Sequence, residues 1–166
     1  MVNFQLMITA ELENLTHLQP QNGCDDPDFS YFFKVKCGRC GEVSQKETCV
    51  TLGETVPIPN SRGTTNLHQK CKFCEREGTV TMVPGRGRPL THEDSETGKY
   101  APLMLFDCRG YEPVDFAFRG LWKAESLEGM KFEDIDLSTG EFSEYDEKAE
   151  LPVMISNLKA TFTVVK

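Results

Sequence analysis

Phe29-Ser-Tyr-Phe-Phe-Lys-Val-Lys-Cys37 is the stretch whose reading sets the fold of this chain. It is rich in aromatic side chains. At a period of two, Phe33, Val35 and Cys37 fall on one face, as in a half-buried strand. The run leads straight into Cys37-Gly-Arg-Cys40-Gly, where two residues separate a pair of thiols. A strand that ends in a Cys-x2-Cys turn predicts a β-rich fold with a metal-binding hairpin tip.

Strand signals continue on both sides. Phe4-Gln-Leu-Met-Ile-Thr-Ala-Glu-Leu12 is apolar, β-branched and nearly alternating. Gly78 to Val83, Tyr100 to Phe106 and Val114 to Phe118 read as further strands, and Val153 to Val165 as two short strands or one long bent one. Thirteen glycines and nine prolines punctuate these runs at strand-turn intervals. Ser143 to Glu150 could form a helical turn or two, but it has no sustained apolar stripe and stops at Pro152. Residues 53–65 and 84–99 read as partly mobile loops. We therefore expect one all-β domain over residues 1–166, a β-sandwich or distorted barrel with two zinc-knuckle hairpin tips and little helix. Lys36-Cys-Gly-Arg-Cys-Gly-Glu-Val43 faintly echoes Asp107-Cys-Arg-Gly-Tyr-Glu-Pro-Val114, which fits either two related β-units or chance.

The chain of 166 residues is long enough to bury a core without covalent staples. No apolar run approaches the roughly 20 residues of a membrane span. The N-terminal residues alternate like a strand and lack a basic leader, so a secretion signal is not expected. That implies a reducing cytoplasmic setting, the nucleus included, where clustered cysteines point to metal or redox chemistry rather than disulfides. The net charge of −8 is uneven: residues 34–88 carry ten Lys/Arg against five acids, and residues 91–150 carry six against sixteen. Overall acidity argues against nucleic acid as the main partner, with a local basic patch around the cysteines.

Four of the seven cysteines form two Cys-x2-Cys pairs, Cys37/Cys40 and Cys71/Cys74, thirty residues apart. Two intervening residues make a turn that aims both sulfurs at one point, and two such turns supply the four thiolates that Zn²⁺ accepts tetrahedrally at about 2.3 Å. Gly38 and Gly41 suit turns that need a positive φ. A thioredoxin-like motif would sit at a helix start in a βαβ setting, which is absent, while an iron–sulfur cluster shares the four-cysteine requirement. Lys34, Lys36, Arg39, Lys46, Lys70, Lys72 and Arg76 cluster around the pairs and favour thiolate over thiol. Four protein ligands leave no open position for a reacting water. Apparent zinc-binding energies of roughly 10–16 kcal/mol exceed most domain stabilities, so chelation should melt the surrounding loops.

Other candidates carry less. His68 could replace one sulfur; His17 and His92 read as surface residues. Asp134 and Asp136 lack the glycine-centred spacing of a calcium loop. Cys24 should be dulled by Asp25 and Asp26, and Cys49 and Cys108 read as buried. No nucleophile elbow, zincin helix or phosphate-binding glycine loop appears.

Several segments carry a resemblance. These are Leu12-Glu-Asn-Leu-Thr-His-Leu-Gln-Pro20, Lys36-Cys-Gly-Arg-Cys-Gly-Glu42, Gln69-Lys-Cys-Lys-Phe-Cys-Glu75, Cys108-Arg-Gly-Tyr-Glu-Pro-Val-Asp-Phe116 and Tyr145-Asp-Glu-Lys148. Through them the chain resembles, nearly end to end, the eukaryotic family called CXXC motif containing zinc binding protein. The resemblance implies a β-rich fold, zinc on Cys37, Cys40, Cys71 and Cys74, and no established enzymatic activity. Arg109, Glu112 and Asp115 could form a buried polar cluster or, alternatively, a partner surface. The expectation is thus a monomeric, non-enzymatic protein with one Zn²⁺ per chain, acting through an unknown protein partner or in metal handling. The alternative is a thiol-based redox protein whose pairs release zinc on oxidation.

Overall fold

The computed structural model describes residues 2–166. The chain forms β1 (Val2–Glu13), β2 (Leu15–Pro20), β3 (Ser30–Cys37), β4 (Thr48–Thr51), β5 (Val56–Pro57), β6 (Thr64–Thr65), β7 (Leu67–Lys70) and β8 (Glu77–Val83). After α1 (His92–Thr97) come β9 (Ala101–Arg109), β10 (Tyr111–Ala117), β11 (Leu121–Ser126), β12 (Lys131–Asp136), β13 (Phe142–Asp146) and β14 (Leu151–Val165). A six-stranded sheet in the order β13-β14-β1-β9-β8-β7 forms the backbone of the molecule; two three-stranded sheets, β10-β3-β4 and β12-β11-β2, accompany it, and the β5-β6 pair is separate. Every strand pairing is antiparallel. The all-β expectation holds.

Alternation explains the core. Along β1 the buried positions are Phe4, Leu6, Ile8, Ala10 and Leu12, and along β3 they are Tyr31, Phe33, Val35 and Cys37. Each set lines one face, so a one-residue slip would expose all of it. Phe33 meets Phe106 of β9 at 5.3 Å and Phe162 of β14 at 5.6 Å between ring centroids, which stacks the smaller sheet onto the larger. Phe29 meets the fully buried Trp122 edge-on at 5.5 Å, joining the third sheet, and the Trp122 Nε1–H donates to the Arg119 carbonyl.

Three local expectations need correction. Residues 143–150 are not helical: β13 pairs with β14, and Asp146 Oδ1 accepts the N–H groups of Lys148 and Ala149 to close the hairpin. Without an apolar stripe, cross-strand pairing wins over helix. The only helix among the described residues lies instead within residues 84–99. There Thr91 and Asp94 form a capping box and Gly98 ends the helix at φ 69°. That segment is tied down, because Leu18 and Leu90 exchange backbone hydrogen bonds and Arg88 clasps Asp94 at 2.6 Å. Cys49 is exposed on the outer face of β4 opposite Phe32, while its neighbour Val50 points inward. The C-terminal run is one strand of 15 residues, bent where its register on β1 slips and Asn157 takes φ 51°.

Candidate metal centre

Both cysteine pairs occupy the same backbone device. In the first knuckle the Cys37 N–H donates to the Glu42 carbonyl at 2.9 Å and the Gly41 N–H to the Cys37 carbonyl at 3.0 Å. In the second the Cys71 N–H donates to the Arg76 carbonyl at 2.8 Å and the Glu75 N–H to the Cys71 carbonyl at 3.0 Å. The equivalent positions Gly41 and Glu75 take the left-handed conformation, at φ 79° and 64°. Glycine accepts this freely, whereas Glu75 carries strain. Gly38 serves another purpose than a positive φ. A Cβ there would come 3.2 Å from the Gly110 carbonyl oxygen, which accepts the Gly38 N–H at 2.9 Å.

Topology brings the knuckles together. The first sits at the end of β3, whose partner is β10; the second is the β7–β8 connection, and the partner of β8 is β9. Between β9 and β10 lies the single residue Gly110, at φ 84°, where the chain leaves the large sheet for the small one. Tyr111 pairs with Cys37, and Arg109 pairs with Thr79. The segment 109–111 is therefore a wedge that both knuckles grip. Gly78 allows the fit: a Cβ on it would lie 2.3 Å from Tyr111 Cδ2 and 2.7 Å from the Arg109 carbonyl oxygen.

The sulfurs converge as a result. Cys37 Sγ lies 3.5 Å from Cys74 Sγ, Cys40 Sγ lies 3.6 Å from Cys71 Sγ, and all four are within 4.8 Å of one another. A tetrahedron with metal–sulfur bonds of about 2.3 Å has edges of about 3.8 Å, so the set is spaced to hold one ion. A cluster of several irons would need its cysteines spread over separate metals. The Cys40 and Arg39 N–H groups aim at Cys37 Sγ and draw its pKa down to about 6; the Cys74 and Phe73 N–H groups lower Cys71 in the same way. At Cys40 the Glu42 N–H favours the thiolate, but desolvation and the neighbouring sulfurs outweigh it and push the thiol up to about 12. Four thiolates this close need a cation to be charged together, which is what a metal supplies. Burial, followed by the four thiolates, raises the Tyr111 hydroxyl to about 12.

The eukaryotic model of CXXC motif containing zinc binding protein matches residues 5–163. The chain belongs to this family. Among its relatives, the CXXC motif containing zinc binding protein of Xenopus laevis is 42% identical over 164 residues, covering 98% of this chain and 99% of the relative. The Homo sapiens protein of the same name is 38% identical over 158 residues, covering 95% of each. The crystal structure of C1orf123 matches at a TM-score of 0.86 and 36% identity, over 98% of this chain and 99% of that one. A hypothetical protein from Plasmodium falciparum matches at 0.81 and 26%, over 98% and 100%. The zinc of this family suits the donor set, since four sulfurs spaced for one tetrahedral ion are what zinc accepts in closed sites.

The remaining candidates lie elsewhere. His68 faces Glu77 at 3.6 Å and is outside the sulfur cluster. His17 is exposed beside Glu125; His92 is half-buried, with Nε2 2.6 Å from Glu96. Asp134, at φ 55° on a bulge, accepts from Gln21, and Asp136 accepts the Ser138 N–H. Cys24 is raised to about 11, first by burial and then by Asp25, and Cys108 to about 12, first by burial and then by Asp107. Arg109, Glu112 and Asp115 are exposed, so the motif contributes no buried polar cluster. Its structural role belongs to Gly110 and Tyr111. The Gly and the ring beside Cys108-Arg were visible, but their contact with both knuckles was not.

Proposed function

We propose that Cys37, Cys40, Cys71 and Cys74 hold one structural Zn²⁺, and that the zinc-locked knuckles are a platform for contacts with a partner protein rather than a catalyst. The observation that carries this reading is the closed shell: four sulfurs within 4.8 Å of one another leave no position where a substrate or water could join the metal. Around that shell Lys36, Arg39, Lys46, Lys70, Lys72 and Arg76 are exposed, while the chain as a whole is acidic at −8. A basic knuckle face on an acidic body suits electrostatic selection of a partner.

Cross-linked capture from a cell extract tests it, with wild type compared against the triple variant Lys70→Glu, Lys72→Glu, Arg76→Glu. The expected result is loss of the captured proteins with zinc content unchanged. Capture that ignores the charge reversal would contradict the platform.

A second reading has its own observation. The short sulfur–sulfur distances run between the knuckles, and Cys40 is exposed to an oxidant. A redox role predicts that mild peroxide releases zinc reversibly and leaves disulfides among the four cysteines. Zinc retained under that treatment would remove the redox reading.

A further inference from the structure

A cleft of about 350 Å³ opens beside the metal centre, between the segment that follows the first knuckle and the segment Gln69–Phe73 that enters the second. Its wall includes β7, the last strand of the large sheet, which is paired with β8 on one side and, among the described residues, with no strand on the other. An open edge of that kind offers main-chain donors and acceptors to an incoming strand. Val35, Val43 and Phe73 make the cleft partly apolar, and Phe73 is 64% exposed on a turn fixed by the knuckle hydrogen bonds. Exposed rings on rigid supports are the usual anchors of protein interfaces.

Two polar features select the occupant. Lys46, Lys70 and Lys72 line the cleft and, among the described residues, none forms an ion pair; of the two acids on the same wall Glu47 is already held by Arg119 at 2.7 Å, which leaves three ammoniums against Glu42. Tyr111 also lines it; this residue is 6% exposed, and its hydroxyl has no hydrogen-bond partner among the described residues. A buried donor left unmatched is costly, and a ligand oxygen that accepts from it removes the cost. Three point-charge ammoniums and one phenolic donor ask for a compact anion attached to an apolar body.

We propose that the cleft receives an extended segment of a partner protein, which pairs with the open edge of β7 and places a Glu or Asp carboxylate among Tyr111, Lys46, Lys70 and Lys72. An apolar neighbour on the same segment would cover Phe73. The proposal rests on the platform reading above and states the chemistry of the partner.

The test uses the full-length, zinc-loaded chain and the capped peptide acetyl-Thr-Leu-Glu-Val-Thr-amide, followed by amide ¹H–¹⁵N shifts. The Glu peptide should move the signals of Val43, Gln69, Lys70 and Phe73, and the Gln counterpart should bind about ten-fold more weakly, as expected for loss of a charged hydrogen-bond acceptor. Tyr111→Phe should weaken the Glu peptide by about the same factor while leaving zinc content and thermal stability equal or higher, because it deletes an unmatched hydroxyl. Equal binding of the two peptides, indifference to Tyr111→Phe, or no shifts at these amides would overturn the proposal. Hexanoate matching the Glu peptide in affinity would also overturn it, since the cleft would then be a pocket for small acids. If the peptide fails while charge reversal still abolishes partner capture, the cleft is wrong and the platform stands.

Discussion

Replacing Gly78 with alanine adds one methyl group at the tightest point of the account. Its Cβ would stand 2.3 and 2.6 Å from two carbons of the Tyr111 ring and 2.7 Å from the Arg109 carbonyl oxygen. The ring is buried and the carbonyl is backbone, so neither can swing aside. Overpacking of this kind costs about 1–3 kcal/mol, and with main chain on one side of the clash about 3 kcal/mol is expected. For a chain of this size that lowers Tm by about 6–12 °C. The wedge also orients the first knuckle through the Gly38 N–H, so zinc affinity should fall too, as measured by competition with a chromophoric chelator. Gly85→Ala is the control: its Cβ meets nothing within 4 Å, and only its φ of 86° opposes substitution. It should cost about 1–2 kcal/mol and leave zinc affinity untouched. In a Tyr111→Ala background, Gly78→Ala should cost at least ~1 kcal/mol less than in wild type. A Gly78→Ala protein with the stability and zinc affinity of wild type would refute the wedge.

Three further outcomes follow from the same geometry. Cys71→Ser should abolish stoichiometric zinc and lower Tm, while Cys49→Ser, on an exposed cysteine outside the cluster, should change neither; zinc content and calorimetry decide. Glu75→Gly relieves a left-handed glutamate and should stabilise the second knuckle by up to about 1 kcal/mol in chemical denaturation, whereas no gain would mean that the strain is already compensated. The Arg88 guanidinium, with help from Thr91, holds Asp94 down at about 2, so its contribution is complete above the unfolded carboxylate range near 4 and disappears as pH falls towards 2. Asp94→Asn should therefore cost about 1 kcal/mol at neutral pH and flatten the acid limb of stability, and an unchanged acid limb would show that the pair contributes nothing there.

Sequence and structure agree where the information is local. Alternation along Phe4–Leu12 and Phe29–Cys37 marked two strands, with Phe33, Val35 and Cys37 on one face, and the two Cys-x2-Cys turns marked the four sulfurs that the structure brings within 4.8 Å of one another. The convergence of the knuckles was not legible as a mechanism, because it depends on one residue, Gly110, at which the chain changes sheets. Nothing periodic marks such a switch. The helix at His92–Thr97 was within reach, since Thr91 followed by Asp94 and then Gly98 is a start-and-stop signature; the Gly/Pro content around it concealed it. Cys49 sits in an alternating stretch that reads as core, but β4 is short and its two successive inward positions, Val50 and Thr51, break the alternation and leave Cys49 outside.

Zinc K-edge absorption on freshly purified protein, combined with elemental analysis, reads the metal and its neighbours. One zinc per chain, surrounded by four sulfurs at about 2.3 Å, is the predicted result. Fewer than four sulfurs, a nitrogen or oxygen neighbour, or iron in place of zinc would contradict it.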